Sequence, residues 1–275
     1  MKPLIRVGTT SYIKPLDILP NVRYLADLVD DIELVLFESE ELSNLPDEAT
    51  IRELKSIAAD HNLTYTVHFP LDIHPGSRDE ALRCRSVEAM KRIIALTESL
   101  EPFGYVLHLS PDHWGPSPSD EIDAWRSALD RSLDELLGSH IVDPSSVCAE
   151  TLSYPFALVQ PLVQQHGLSV TLDIGHIWLM GYDADDAAHS LLAHTRICHL
   201  HGVSGDKDHL GLDEGDQVAI ERFLCQLVQQ AERDGQERVL TVEVFGEREF
   251  EASLSLLRTS RAMMGHRLGG AYANY

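Results

Sequence analysis

Short apolar runs of five to eight residues recur along this chain, at 4–8, 32–38, 64–69, 104–110, 146–150, 168–173, 196–201 and 238–245. Each gives way to a longer stretch in which apolar residues fall three and four apart. Ile18, Leu19, Val22, Leu25, Leu28 and Val29 show that helical spacing first. Further helices are expected over 47–60, 78–100, 119–137 (with Ser119 as N-cap), 156–166, 183–194, 216–233 and 249–263. Strict alternation of strand and helix argues for a parallel sheet. About eight such units within 275 residues fit an α/β chain folded as a closed (β/α)8 TIM barrel. An open doubly wound sheet would announce a glycine-rich phosphate turn after its first strand, and GTTS at 8–11 is not one. The expectation is a single catalytic domain over 1–265 with a flexible tail at 266–275.

Composition narrows the partners. The net charge of −22 repels nucleic acid and anionic membrane, which leaves a small molecule as the expected partner. Cys84, Cys148, Cys198 and Cys225 lack the spacing of a zinc ribbon or a disulfide framework. The opening residues read as a strand and not as a leader peptide, and no apolar run reaches the ~20 residues that span a bilayer, so a cytoplasmic protein is expected.

The chemistry gathers where the expected strands end. Those tips carry His68, His108, Glu150, Asp173 with His176 three residues on, His199 with His201, and Glu243, while His209 follows in the next loop. A barrel of this kind builds its site at the C-terminal ends of its strands. With 14 histidines some would fall there by chance, but not this unbroken series of metal-competent types without a lysine or arginine. Several carboxylates brought together need a cation to offset repulsion and desolvation, and a mixed carboxylate–imidazole lining suits zinc, manganese or iron. Side-chain parity turns both His199 and His201 inward and leaves Cys148 one layer below Glu150 as a core thiol.

Other residues carry smaller expectations. Thr10 and Ser11 (with Thr9) offer hydroxyls to a substrate, and Glu38 offers a carboxylate at the second strand's tip. Trp114 and Trp178 stand just past strand tips, where they would wall a pocket. Glu33 reads as a solvated or helix-paired charge, and Arg83, Arg85, Lys91 and Arg92 as a solvated helix face.

The run LDIGHIWLMGYD at 172–183 resembles the DTCH-(x)4-GYD run of apurinic endonuclease IV, within the xylose-isomerase-like barrel superfamily. That resemblance implies a cluster of two or three divalent ions, Zn2+ or Mn2+. It implies that His68, His108 and Glu150 hold one ion, that Glu150 bridges to a second held by Asp173, His199 and Glu243, and that His176 and His209 hold a third. Two departures stand out. Lys207 occupies the place of the family's aspartate before the loop histidine, so Asp206 or Asp208 would have to substitute. The strand-seven motif is HLHG at 199–202, so His201 is an additional group with no inherited role, taken as a substrate contact beside Trp178.

The opening GTTSYIKPLDILPN at 8–21, with DDIELVLFE at 30–38, is similar to the cobamide-remodelling phosphodiesterases. That likeness implies a cobamide substrate, cut at the phosphodiester of its nucleotide loop to a cobinamide phosphate and an α-ribazole-type nucleoside. Glu150 and Glu243 are the expected catalytic pair. The alternative is a sugar or sugar-phosphate isomerase or epimerase with one cation on Glu150, Asp173, His199 and Glu243. An apurinic endonuclease or a non-catalytic corrinoid- or metal-binding protein ranks lower.

Overall fold

The computed structural model describes residues 4–38, 43–138 and 140–263. Eight parallel strands close into a barrel: β1 (Ile5–Thr10), β2 (Asp31–Val35), β3 (Thr64–His68), β4 (Gly104–Leu107), β5 (Val147–Glu150), β6 (Ser169–Asp173), β7 (Thr195–Leu200) and β10 (Arg238–Val242). Neighbours in sequence are neighbours in the wall, and β1 joins β10 to complete it. Between β7 and β10 a small antiparallel hairpin, β8 (Gly202–Ser204) and β9 (Lys207–Leu210), stands outside the barrel sheet. The helices are α1 (Ile18–Leu25), α2 (Glu48–His61), α3 (Glu80–Thr97), α4 (Ile122–Leu137), α5 (Gln160–Gln165), α6 (Ile174–Leu179), α7 (Ala184–Leu191), α8 (Gln217–Asp234) and α9 (Glu247–Thr259).

This is the α/β barrel that the alternating pattern predicts. The differences are local. Ser119 does not cap α4; Glu121 holds that position, and the Ser119 hydroxyl instead bonds Asp112 and the Glu121 amide. The short helix α6, directly after Asp173, and the β8–β9 hairpin lie in stretches without a clear period. Arg83 is not on a solvated face. Its guanidinium is buried between α3 and α4, bonded to Glu80, Glu135 and the Ser132 hydroxyl. The expected tail at 266–275 lies outside the described residues.

Period-two alternation sorts the strand residues onto two sides. Outward residues such as Ile5, Val7, Leu34, Leu172, Cys198 and Leu200 join the helices in one continuous apolar layer. A second, separate cluster of Val106, Cys148, Ile197 and Val239 fills part of the barrel's inside. Cys148 is therefore a core thiol, with burial pushing it up to about 12. One step further along the same strand faces come His108, Glu150, His199 and, across a residue, Glu243. The apolar plug thus gives way to titratable groups at the C-terminal end.

Asp31 is a buried carboxylate in the lower barrel. It is fully buried, and its carboxyl accepts hydrogen bonds from Thr64 at 2.5 Å and Thr66 at 2.9 Å. Burial pushes its pKa up to about 7 against those hydroxyls, and the charge of Glu33 adds to the rise. The folded chain then holds a proton that the unfolded chain releases near pH 4. The stability from this group is therefore full at low pH and is lost as pH rises from about 4 through about 7. Asp31→Asn should remove that slope: urea unfolding in chelator should find the variant gaining on wild type between about pH 5 and about pH 8. Parallel curves for the two proteins would show that Asp31 is ionised throughout.

Candidate metal centre

Each candidate side chain is delivered by a strand tip or by the loop that follows it. His68 ends β3, Glu150 ends β5 and Asp173 ends β6, while His199 lies within β7. His108, His201 and Glu243 stand just past β4, β7 and β10, and His209 lies in β9. The structure brings these groups together in three overlapping sets: His68, His108 and Glu150; Glu150, Asp173, His199 and Glu243; and His176, His201 and His209. Within each set the ligand-capable atoms lie within 4.8 Å of one another.

Glu150 stands at the middle. Its Oε2 is 2.6 Å from His108 Nε2 and 3.5 Å from His68 Nε2, and its Oε1 is 3.0 Å from His199 Nδ1. Glu243 Oε2 comes within 3.2 Å of the same His199 nitrogen and 3.8 Å of His209 Nδ1. The other face of His199 is met by Glu33, whose Oε2 is 2.9 Å from Nε2. Glu33 is fully buried, not solvated, and its role was missed because a lone glutamate in a strand carries no signal of what lies across the barrel.

Asp173 is fixed by its own backbone surroundings. As the N-cap of α6 its Oδ1 accepts the His176 amide at 2.8 Å, and its amide donates to the Thr151 hydroxyl at 2.9 Å. The same turn carries His176 to the site, with its Nδ1 bonded to the Thr151 carbonyl at 3.1 Å. Gly175 sits in the first turn of α6, where a Cβ would collide with the His201 ring. His201 itself, fully buried, accepts the His209 amide on Nδ1 at 3.0 Å. That N–H can only donate, so this contact outweighs the longer 3.4 Å approach of the Gly202 carbonyl to the same nitrogen. It leaves the ring proton on Nε2, 3.3 Å from Asp173 Oδ1. His209 pays for its place with a left-handed backbone, φ 51°.

Two observations show that this donor set fits divalent cations. Glu150 Oε2, Asp173 Oδ2, His201 Nε2 and Glu243 Oε2 are buried without a hydrogen-bond partner among the described residues. Glu150 Oε2 is in this group although it lies 2.6 Å from His108 Nε2. Ligand atoms about 2.0–2.1 Å from a tetrahedral ion lie ~3.3 Å apart, close to the separations seen here. The ion pairs of Glu33, Glu150, Asp173 and Glu243 among the described residues are all with imidazoles, never with lysine or arginine.

The electrostatics follow from that mixture. Burial opposes the charge on His68, but the carboxylates, Glu150 first among them, outweigh it and lift it to about 9. Burial likewise opposes the charge on His199, but Glu33, Glu243 and Glu150 raise it well above the usual histidine value, and Asp173 does the same for His176 against its burial. Burial alone would raise Glu150 and Glu243, yet His108 and His199 hold Glu150, and His199 and His209 hold Glu243, below the usual carboxylate range.

The smaller expectations fare differently. The Thr10 hydroxyl donates to the Val244 carbonyl at 2.7 Å and the Ser11 hydroxyl accepts the Val35 amide at 3.2 Å, so both tie the wall together. Glu38 pairs with Arg92 and accepts the Ser43 hydroxyl at 3.0 Å. Trp178 packs against the outer apolar layer. The exposed rings are Trp114, edge-on to His176 at 5.6 Å, and Phe245, edge-on to His209 at 5.2 Å. Phe245 escapes a reading of the sequence because it looks like the end of a strand. In the third set it is His201 that stands beside His176 and His209; Asp206 is exposed, and Asp208 comes no nearer than 3.8 Å to His209.

Gly175→Ala should force His201 aside and cost about 1–3 kcal/mol in urea unfolding; an unchanged midpoint would mean that the ring yields freely. Because His68 holds its proton up to about 9, cation uptake should release protons and tighten as pH rises from about 7 toward 9. Calorimetry in two buffers of different ionisation enthalpy measures that release, and a pH-independent affinity would contradict it.

No curated protein sequence matches this chain. Among solved structures, a D-tagatose 3-epimerase-like protein is similar at a TM-score of 0.73 and 19% identity, over 92% of this chain and 96% of that one. D-psicose 3-epimerase from Clostridium cellulolyticum is similar at 0.69 and 15%, over 93% of this chain and 98% of that one. Endonuclease IV from Thermus thermophilus is similar at 0.68 and 16%, over 95% of this chain and the whole of that one. Likeness at these identities establishes the fold alone. The sequence profile of the xylose isomerase-like TIM barrel matches residues 22–262, and the chain belongs to that family.

Proposed function

We propose that this protein is a divalent-cation-dependent hydrolase that cuts a phosphodiester in a small molecule. The observation that carries this reading is the position of Glu150, which belongs to two ligand sets at once, with a third set adjoining. A single cation would use four of these groups and leave His68, His108, His176 and His209 without a task. Phosphoryl transfer uses adjacent cations, whereas proton shuffling next to a sugar carbonyl needs one.

His68, His108 and Glu150 would hold one ion, and Glu150, Asp173, His199 and Glu243 a second. His176 and His209 would contribute to a third. When bound, such ions supply Lewis acidity, lowering the pKa of water and neutralising charge on phosphoryl and leaving oxygens. The chain's own part is to fix their spacing through Glu150, to orient Asp173 through the α6 cap, and to place Glu243 where it can accept a proton. His108 and His209, more open to solvent than the carboxylates, mark the side from which substrate enters. Trp114 and Phe245 flank that side with flat apolar faces.

The substrate we propose is a cobamide nucleotide loop. Its support is the similarity of the stretches at 8–21 and 30–38 to cobamide-remodelling enzymes, together with a net charge that disfavours a polyanionic duplex. The second reading is a sugar epimerase, with Glu150 and Glu243 as an acid–base pair about one cation. It draws support from the similar structures, most of which are described as epimerases, including the D-tagatose 3-epimerase-like protein and L-ribulose 3-epimerase.

Elemental analysis of protein loaded with Zn2+ or Mn2+ separates the two. Two or three ions per chain are expected, and one would favour the epimerase. Incubation with a cobamide should release a nucleoside detectable by mass, while incubation with ketohexoses should return them unchanged. Glu150→Gln should lower turnover by at least about 100-fold with the far-ultraviolet spectrum retained. Near-normal turnover by that variant would remove Glu150 from the mechanism.

A further inference from the structure

We infer that Glu33 is the positioning residue of the centre: it fixes the tautomer and ring orientation of His199, so that Nδ1 is the nitrogen presented to a divalent cation. The inference rests on the reading of the mouth as a cation site, and it adds a residue outside all three ligand sets.

His199 has both ring nitrogens engaged, on opposite sides. Nδ1 faces Glu150 Oε1 at 3.0 Å and Glu243 Oε2 at 3.2 Å, two members of its own ligand set. Nε2 faces Glu33 Oε2 at 2.9 Å in good hydrogen-bond geometry. Glu150 meets Nδ1 in hydrogen-bond geometry just as Glu33 meets Nε2, but Glu150 belongs to the ligand set and Glu33 does not. With a cation drawing on Glu150 and Glu243, the one proton of a neutral imidazole would stay on Nε2 toward Glu33 and leave the Nδ1 lone pair toward the cluster. Ring and carboxylate are both fully buried, so water cannot take over the role of acceptor.

The path of Glu33 argues against an incidental contact. It comes from β2 and meets a residue of β7, with β1 and β10 standing between them in the wall, so the side chain reaches across the barrel's inside. A buried carboxylate is costly unless it is paired, and the His199 imidazole is the partner it has in its ion pairs and side-chain hydrogen bonds among the described residues. A glutamate serving only stability would, when truncated, lower the unfolding midpoint and leave cation affinity unchanged. One that orients a ligand-bearing histidine lowers affinity as well, because such partners are worth about 10–100-fold in cation affinity.

The test measures Zn2+ affinity by competition with a chromophoric chelator, for wild type, Glu33→Gln and Glu33→Ala, beside the unfolding midpoint of each protein in chelator. Glu33→Ala should bind about 10–100-fold more weakly. Glu33→Gln is isosteric and keeps an acceptor oxygen for Nε2–H, so it should recover most of that loss. A long-range 1H–15N spectrum of loaded wild type should show His199 with its proton on Nε2. Wild-type affinity in Glu33→Ala, equal losses in both variants, or a proton on Nδ1 would overturn the inference. So would a metal-free midpoint that falls in Glu33→Ala while its affinity holds, which is the mark of a purely structural role. Failure of wild type itself to take up Zn2+ would instead defeat the cation reading on which the inference stands.

Discussion

Carboxylates shut away from water and balanced only by imidazoles are the constraint around which this molecule is arranged. Glu33, Glu150 and Asp173 are essentially without solvent access and Glu243 nearly so, yet no guanidinium or ammonium appears among their ion pairs in the described residues. The chain does bury arginines elsewhere. Arg238 is fully buried at the opposite end of the barrel, where it donates to the Thr195 and Leu192 carbonyls and pairs with Asp234. Permanent positive charge is kept to the outside of the wall at that end, and groups that can give up a proton line the mouth. Imidazoles can neutralise carboxylates while protonated and then surrender that task to a metal, which a guanidinium cannot do.

The barrel makes this arrangement simple to specify. Period-two alternation puts Ile197, His199 and His201 on one face of a single strand and its continuation, so one register decision places an apolar plug, a candidate ligand and a second imidazole in successive layers. The same step relates Cys148 to Glu150 and Val106 to His108. Backbone detail then does the fine alignment: the α6 cap holds Asp173, and the absence of a Cβ at Gly175 lets His201 lie against that turn.

That division explains how far the amino-acid sequence could be read. Strand periodicity and strand-tip chemistry exposed the fold and the residues of the three sets, because both depend on local spacing. Glu33 and the surroundings of His201 were not legible, since their roles depend on groups 166 positions away and on a close approach at one glycine. Thr10 and Ser11 show a related limit: a hydroxyl at a strand end looks the same whether it faces a ligand or a neighbouring backbone group. Arg83 looked solvated because helical spacing shows which face a residue occupies but not whether a second helix lies over it.

Two of the three sets, Glu150 with Asp173, His199 and Glu243 and His176 with His201 and His209, come wholly from the β5-to-β10 half of the chain, while the set of His68, His108 and Glu150 and the positioning glutamate on β2 tie in the other half. Each barrel strand beyond β1, and the hairpin between β7 and β10, must reach its final register before the last donor arrives. The β5-to-β10 arc could therefore gather two sets by itself, but the His68–His108–Glu150 set and the Glu33 contact exist only once β2, β3 and β4 are also in register. Occupation of that first set would thus report that the two halves of the ring have met.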